Sequence, residues 1–362
     1  MKLGRALLVL GTGLLLALGL AASAAGTIAA HARKVQQLKQ PVGALAVDGN
    51  YVAYDLNNEA QSTATDKVRV WNVRTGRTVT VSGKKTAAAG GVGGEGVFQL
   101  AIAGSRVAWL VNEGGNLEST DYLLTSSVTE PKERQVASAL RTGDGCGEGA
   151  PVGCTGAWLG GLVGSGNAIA LNRWTTDATG QIGSAGLYAL QGTQTTAIAS
   201  GTSTLRAVSS DAGREAVLHS DGSVAVYSKS GSVLMTLPAA SAKEAALSGK
   251  NLVVVSQTRQ LQVYDVDSGS LEKTLATHGS GLHNLDVQGN IAIYTTGPRV
   301  RAVNLSSGKT SAVVTLGKHH VEILFARIGS AGLAYAVNGT RVFFGKGTVG
   351  FVPMARIKAA VG

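Results

Sequence analysis

Val68-Arg69-Val70-Trp71-Asn72-Val73-Arg74-Thr75-Gly76 is an apolar, alternating run that ends in a short polar turn, and the chain repeats the pattern. Later copies are Val224-Ala225-Val226-Tyr227-Ser228-Lys229-Ser230-Gly231, Leu261-Gln262-Val263-Tyr264-Asp265-Val266-Asp267-Ser268-Gly269 and Val300-Arg301-Ala302-Val303-Asn304-Leu305-Ser306-Ser307-Gly308. A degenerate copy is Arg341-Val342-Phe343-Phe344-Gly345-Lys346-Gly347. Equivalent positions Tyr227, Tyr264, Val303 and Phe343 are 37, 39 and 40 residues apart. Alternation of apolar and polar residues marks half-buried strands, and a repeat near 40 residues suits a blade of four strands in a β-propeller.

Each unit also carries an earlier turn in step with the first. It reads Asp48-Gly49-Asn50, Gly104-Ser105-Arg106, Gly164-Ser165-Gly166-Asn167, Asp211-Ala212-Gly213, Gly249-Lys250-Asn251, Gln288-Gly289-Asn290 and Gly329-Ser330-Ala331-Gly332. These turns predict about seven blades. With 50 Gly, 6 Pro and almost no helical periodicity after residue 40, the chain reads as all-β, one propeller domain over residues 41–362. Residues 25–40 form an N-terminal segment whose apolar stretch at 35–38 either closes the ring with the last blade or stands apart.

The pairs Trp71-Asn72 and Tyr264-Asp265 resemble the Trp-Asp pair of WD-repeat propellers, and Thr75-Gly76 and Ser268-Gly269 resemble turns of bacterial quinoprotein-like and YVTN-type propellers. The Gly-His pair of WD repeats is missing, and the docking Trp of quinoprotein repeats is missing from most units. The resemblance implies a fold and no activity, because propellers host unrelated functions. It also implies that loops between second and third strands share a face with the connectors between blades.

The N-terminus predicts export. Lys2 and Arg5 precede a nearly apolar run over residues 6–20, and Ala22-Ser23-Ala24 offers small residues for cleavage, so residues 1–24 read as a signal peptide. The run is short for a membrane span, and no transmembrane span is expected in the mature chain. The product is placed outside the cytoplasm, secreted or in the periplasm or cell envelope. There Cys146 and Cys154 are expected to form a disulfide. Formal net charge is +10, about +8 once Lys2 and Arg5 leave, but the basic residues are scattered, which argues against nucleic acid as a partner.

Long insertions fall at residues 55–66, 112–121 and 172–186, with long connectors at 82–96 and around the cysteines. All lie in the first three units, and long loops on a rigid scaffold are where binding concentrates. Glu59, Asp66, Glu113, Glu118, Asp121 and Asp177 make this surface locally acidic, with Tyr122 and Trp174 as aromatic anchors. The expected role is a non-catalytic binding scaffold, monomeric, for a protein or an envelope polymer. A cell-wall or carbohydrate-binding module is an alternative that uses the same aromatics. The other alternative is a quinoprotein- or metal-dependent propeller enzyme working at the channel, with His278, His283, Asp286 and His320 as candidate metal ligands. No fixed ligand spacing supports that set, no nucleophile elbow or dinucleotide fingerprint occurs, and no cofactor is expected. Polar residues on the predicted innermost strands are sparse: Gln99, Arg206, His283, Asn284, Asp286 and Arg327.

Overall fold

The computed structural model describes residues 34–56, 66–89, 96–115, 117–144, 146, 152–201, 205–211, 213–279, 281–317, 323–338 and 346–362. The signal peptide, Glu59, His319 and His320 lie outside the described residues.

Short alternating segments separated by two-residue turns fold as meanders of antiparallel strands. The first meander is β2 (Leu45–Asp48), β3 (Tyr51–Leu56), β4 (Lys67–Asn72) and β5 (Thr78–Thr80). A short helix, α1 (Lys84–Ala89), follows. Next come β6 (Gly96–Ala103), β7 (Arg106–Gly114), β8 (Glu118–Ser127) and β9 (Arg134–Thr142). The third run is β10 (Thr155–Ser165), β11 (Ala168–Thr176), β12 (Ile182–Gln191) and β13 (Gln194–Gly201). Four-stranded sheets then form from β14 (Leu205–Asp211), β15 (Arg214–His219), β16 (Val224–Ser228) and β17 (Val233–Leu237), and from β18 (Glu244–Ser248), β19 (Asn251–Val255), β20 (Leu261–Asp265) and β21 (Leu271–Leu275). Another comprises β22 (Leu282–Gln288), β23 (Ile291–Thr296), β24 (Arg299–Asn304) and β25 (Thr310–Thr315). The chain ends in β26 (Phe325–Gly329), β27 (Gly332–Asn338), β28 (Gly347–Pro353) and helix α2 (Met354–Val361).

The last sheet has three strands from the C-terminus and one from the N-terminus. Strand β1 (Lys34–Gln37) pairs with β28 from Lys34 opposite Phe351 to Gln37 opposite Thr348. The stretch at residues 35–38 therefore contributes, as far as Gln37, to a strand of the last sheet rather than standing apart. One departure from uniform four-stranded units appears. Strands β9 and β10 pair through Arg141–Gly156 and Thr142–Thr155, so the second and third runs merge into a single eight-stranded sheet. Among the described residues the chain thus forms six sheets. No helix among them is long and apolar enough to cross a membrane.

First strands lie side by side in chain order: β2 with β6, β6 with β10, then β14, β18, β22 and β26, and β26 returns to β2. Apolar side chains fill the wedges between neighbouring sheets. Trp109, Tyr294 and Tyr335 are fully buried there, and α2 sets Ile357 and Val361 against the wedge between the last two sheets. Strands this splayed cannot form a backbone ladder with each other, so their inward amides need side-chain acceptors. The sequence supplies them. Gln99 accepts from the Leu162 amide at 2.8 Å, Ser209 from Leu247 at 2.9 Å, Glu244 from Leu285 at 2.8 Å and Asp286 from Ile328 at 2.9 Å. At the turn end Asp48 accepts from Gly104 at 2.6 Å, Ser248 from Gly289 at 2.9 Å, and Asp211 from Gly249.

The third-strand signature has a local purpose. Asn72 Oδ1 accepts from the amides of Arg74 and Thr75 at 3.0 and 3.1 Å, Asp265 Oδ1 from Asp267 and Ser268 at 3.0 and 2.9 Å, and Asn304 Oδ1 from Ser306 and Ser307 at 3.0 and 3.2 Å. These are Asx turns, and the following Gly76, Gly269 and Gly308 take the left-handed conformation (φ 78°, 70° and 75°) that closes them at no Cβ cost.

Glu215, on β15, is buried with Ser210 donating to Oε1 at 3.1 Å, and loss of hydration pushes its carboxyl up to about 8. A carboxyl raised above its unfolded value of 4.5 stabilises the fold fully below that pH, and the contribution is lost as pH rises through about 8. Glu215→Gln is expected to remove this dependence. Between pH 5 and 8, the wild type should lose roughly 3 kcal/mol of urea-unfolding free energy relative to the variant. Parallel pH curves for the two proteins would contradict it.

Candidate binding surface

The expected long loops at 112–121 and 172–186 are not loops. Strands β7 and β8 continue in register through Asn112–Asp121, Glu113–Thr120 and Gly114–Ser119, and β11 and β12 continue to Thr176 opposite Ile182. The second and third units carry elongated hairpins, while residues 57–65 of the insertion expected at 55–66 lie outside the described residues. Polar residues end the apolar pattern in sequence, yet the ladder goes on because those residues pair with each other.

One buried stack holds the projection together. Asn112 Nδ2 donates to Ser119 Oγ and Asp121 Oδ1, both at 2.8 Å. Arg141, on β9, donates to Asp121 Oδ2 at 2.7 Å, and the Leu159 amide reaches the same oxygen at 3.2 Å. The Arg141 guanidinium lies 4.0 Å from the centre of the Trp158 ring, and Trp158 runs parallel to Trp174, with centroids 6.1 Å apart and planes 4° apart. Trp158 and Trp174 are cross-strand partners on β10 and β11. Trp158 Nε1 donates to Thr176 Oγ1 at 2.8 Å, and that hydroxyl donates to the Cys154 carbonyl at 3.0 Å. Cys146 and Cys154 are joined in a disulfide and pack on Trp158 and Trp174.

A second cluster lies nearby. Lys85, on α1, meets Glu113 Oε2 at 2.5 Å and sits 3.7 Å from the centre of the Tyr122 ring. The Glu133 carboxylate accepts from the amides of Gly83 and Lys85, both at 2.8 Å, and anchors α1.

The expected site residues therefore separate. Asp121 and Trp174 share the stack, while Glu113 and Tyr122 share Lys85. Asp66 is buried, accepts the Val97 amide at 2.9 Å and lies close enough to Asp55 to raise its carboxyl, which burial already pushes well above the usual range. Asp177 caps its own hairpin turn, taking the amides of Thr179 and Gln181 at 2.9 and 3.0 Å. Glu118 is exposed. Two of the expected acidic residues have cationic partners, Glu113 in Lys85 and Asp121 in Arg141. Those cations and Trp158 were not singled out in the sequence. The available signal was Trp158 in a strand run beside that of Trp174, hidden by the glycines around it.

The surface also exposes apolar side chains. Leu117 at the tip of the β7–β8 hairpin and Val152 beside the disulfide are each 67% exposed, and Leu140 on β9 is 52% exposed. Their backbone is pinned: the Gly143 amide donates to the Leu117 carbonyl and the Gly153 amide to the Ala178 carbonyl, both at 2.9 Å. Both hairpin tips are tied to the cystine loop.

Of the metal candidates, His278, His283 and Asp286 are described, and they do not form a metal-binding group. His283 is exposed, with Nδ1 3.9 Å from Glu244 Oε1, and both Asp286 oxygens accept backbone amides, of Val287 and Ile328. His278 is exposed, its amide donating to the Tyr294 hydroxyl at 3.0 Å. Among the described residues no three His, Cys, Asp or Glu side chains are grouped to hold a metal ion.

No protein-family model matches this chain, and no curated protein matches it in sequence. In three dimensions it is similar to the WD40 β-propeller domain of Doa1, with 11% identity and a TM-score of 0.52 over 90% of this chain and 99% of that one. It is also similar to a chain in the structure of the mitotic checkpoint complex, with 14% identity and a TM-score of 0.53 over 89% and 91% of the two chains. Likeness at this identity carries the fold alone, and that fold is a WD40-like β-propeller.

Arg141→Ala should strand the buried Asp121 carboxylate and cost roughly 3–5 kcal/mol in denaturant unfolding. Lys85→Ala breaks a part-exposed pair and should cost about 1 kcal/mol or less. Equal costs would show that the stack does not hold the hairpins.

Proposed function

We propose that the chain is an exported, monomeric, non-catalytic scaffold, a propeller of seven blades closed by β1, that docks a protein partner on the elongated hairpins. This reading takes the eight-stranded sheet as two blades fused at their outer and inner edges. The observation that carries it is the trio Leu117, Leu140 and Val152, exposed on backbone that the disulfide and two hydrogen bonds hold in place. Exposed apolar side chains on ordered backbone are candidate anchors for a partner, and a pinned backbone loses little entropy on binding. Export is supported by the three-part N-terminus and by a cystine, a bond that oxidising compartments sustain. The occupied carboxylates at the centre favour a scaffold over the enzyme alternative, since Asp286 and Glu244 already serve backbone amides. A carbohydrate module remains the second reading, favoured by the partly exposed side chain of Trp174.

A photo-crosslinking residue placed at 117 or 152 should trap one defined protein from envelope extract, and the same residue at exposed position 271 should not. Equal labelling at all three positions, or polysaccharide retention lost in Trp174→Ala with no protein adduct, would overturn the docking proposal. Protein recovered outside the cytoplasm should begin at residue 25. An intact N-terminus on protein retained inside would overturn export alone.

A further inference from the structure

The first strands enclose a cavity of about 600 Å³. Its lining is polarised along the strands. At the turn end lie Asp48 and Asp211, each bonded to a neighbouring glycine amide. At the connector end three successive sheets place charged residues on the same rung. Arg206 is opposite Leu218, Glu244 opposite Val255 and His283 opposite Thr295, each partner four residues past the start of its strand. Lys243 adds a cation one residue beyond Glu244, also on the cavity wall.

The charges at this mouth do not cancel. Glu244 is the carboxylate on the rung, and its Oε2 is occupied by the Leu285 amide. Arg206 and Lys243 are exposed and have neither an ion pair nor a side-chain hydrogen bond among the described residues. His283 is exposed beside them. Asp286, deeper in the wall, is bonded to two amides and faces Arg327, while loss of hydration raises its carboxyl. Phe98, Leu100, Leu162 and Phe325 supply apolar wall.

We propose that this cavity binds a small organic anion, with its carboxylate or phosphate group held by Arg206, Lys243 and His283 and its apolar body against Phe98 and Phe325. Guanidinium and ammonium groups together suit an oxyanion, and a cavity of this size falls in the range that encloses a small ligand. The site is separate from the hairpin surface, and neither depends on the other.

The test is calorimetric titration of the purified mature protein with hexyl phosphate, hexanoate, hexanol and inorganic phosphate. Saturable binding of hexyl phosphate or hexanoate is expected, and whichever binds more tightly identifies the head group. Hexanol and inorganic phosphate should each bind at least tenfold more weakly. Arg206→Gln with Lys243→Gln should weaken anion binding at least tenfold with an unchanged melting temperature, whereas Lys229→Gln, on an exposed outer turn, should leave it unchanged. No saturable anion binding, hexanol binding as tight as the anions, inorganic phosphate as tight as hexyl phosphate, or undiminished binding in the double variant would each overturn the proposal.

Discussion

Strands that converge on an axis cannot satisfy one another's amides, and this molecule resolves the problem with side chains. Gln99, Ser209, Glu244 and Asp286 each reach from one first strand to the amide of the next, and Asp48, Asp211 and Ser248 do the same at the turn end. An unpaired buried amide costs about 1–3 kcal/mol, so these few polar residues matter more than their number suggests. They also decide what the centre can do chemically. A carboxylate that accepts two backbone amides, as Asp286 does, is a brace, and the cations beside it are left to face the cavity.

The same logic, polar groups answering polar groups, lets the early hairpins outgrow the core. Beyond Val111 the ladder has no apolar wedge to rest on. Its interior is instead a stack of Asp121, Arg141, Trp158 and Trp174, closed by the cystine. The planar guanidinium suits both neighbours at once, forming an ion pair with the carboxylate and lying over the indole. With the stack on the inside, Leu117, Leu140 and Val152 stay exposed on the outside.

Local signals in the sequence were legible because local physics sets them. The third-strand run and its turn could be read directly, since alternation and an Asx turn are properties of nine consecutive residues. The Trp71-Asn72 and Tyr264-Asp265 pairs looked like a family signature, and in the structure the second residue of each caps its turn. Strand β1 was visible only as an apolar stretch, because its register with Thr348 and Phe351 spans almost the whole chain. Hairpin length was misjudged at Asn112 and Asn172. Polarity ends an apolar pattern, but strand pairing depends on partners, and Arg141 lies 20 residues from the carboxylate it serves. Of the metal candidates, Asp286 looked available in sequence and is held by amides in space.

The central claim is that side-chain acceptors brace the convergent strands. Hydrogen exchange of individual amides tests it most directly. The amides of Leu285 and Ile328 lie outside any ladder between neighbouring first strands, yet the account predicts exchange as slow as ladder amides of β19 and β23. It also predicts that Asp286→Ala accelerates Ile328 at least a hundredfold while leaving β19 unchanged. Rapid exchange of both amides in the wild-type protein, or no acceleration in the variant, would contradict the account.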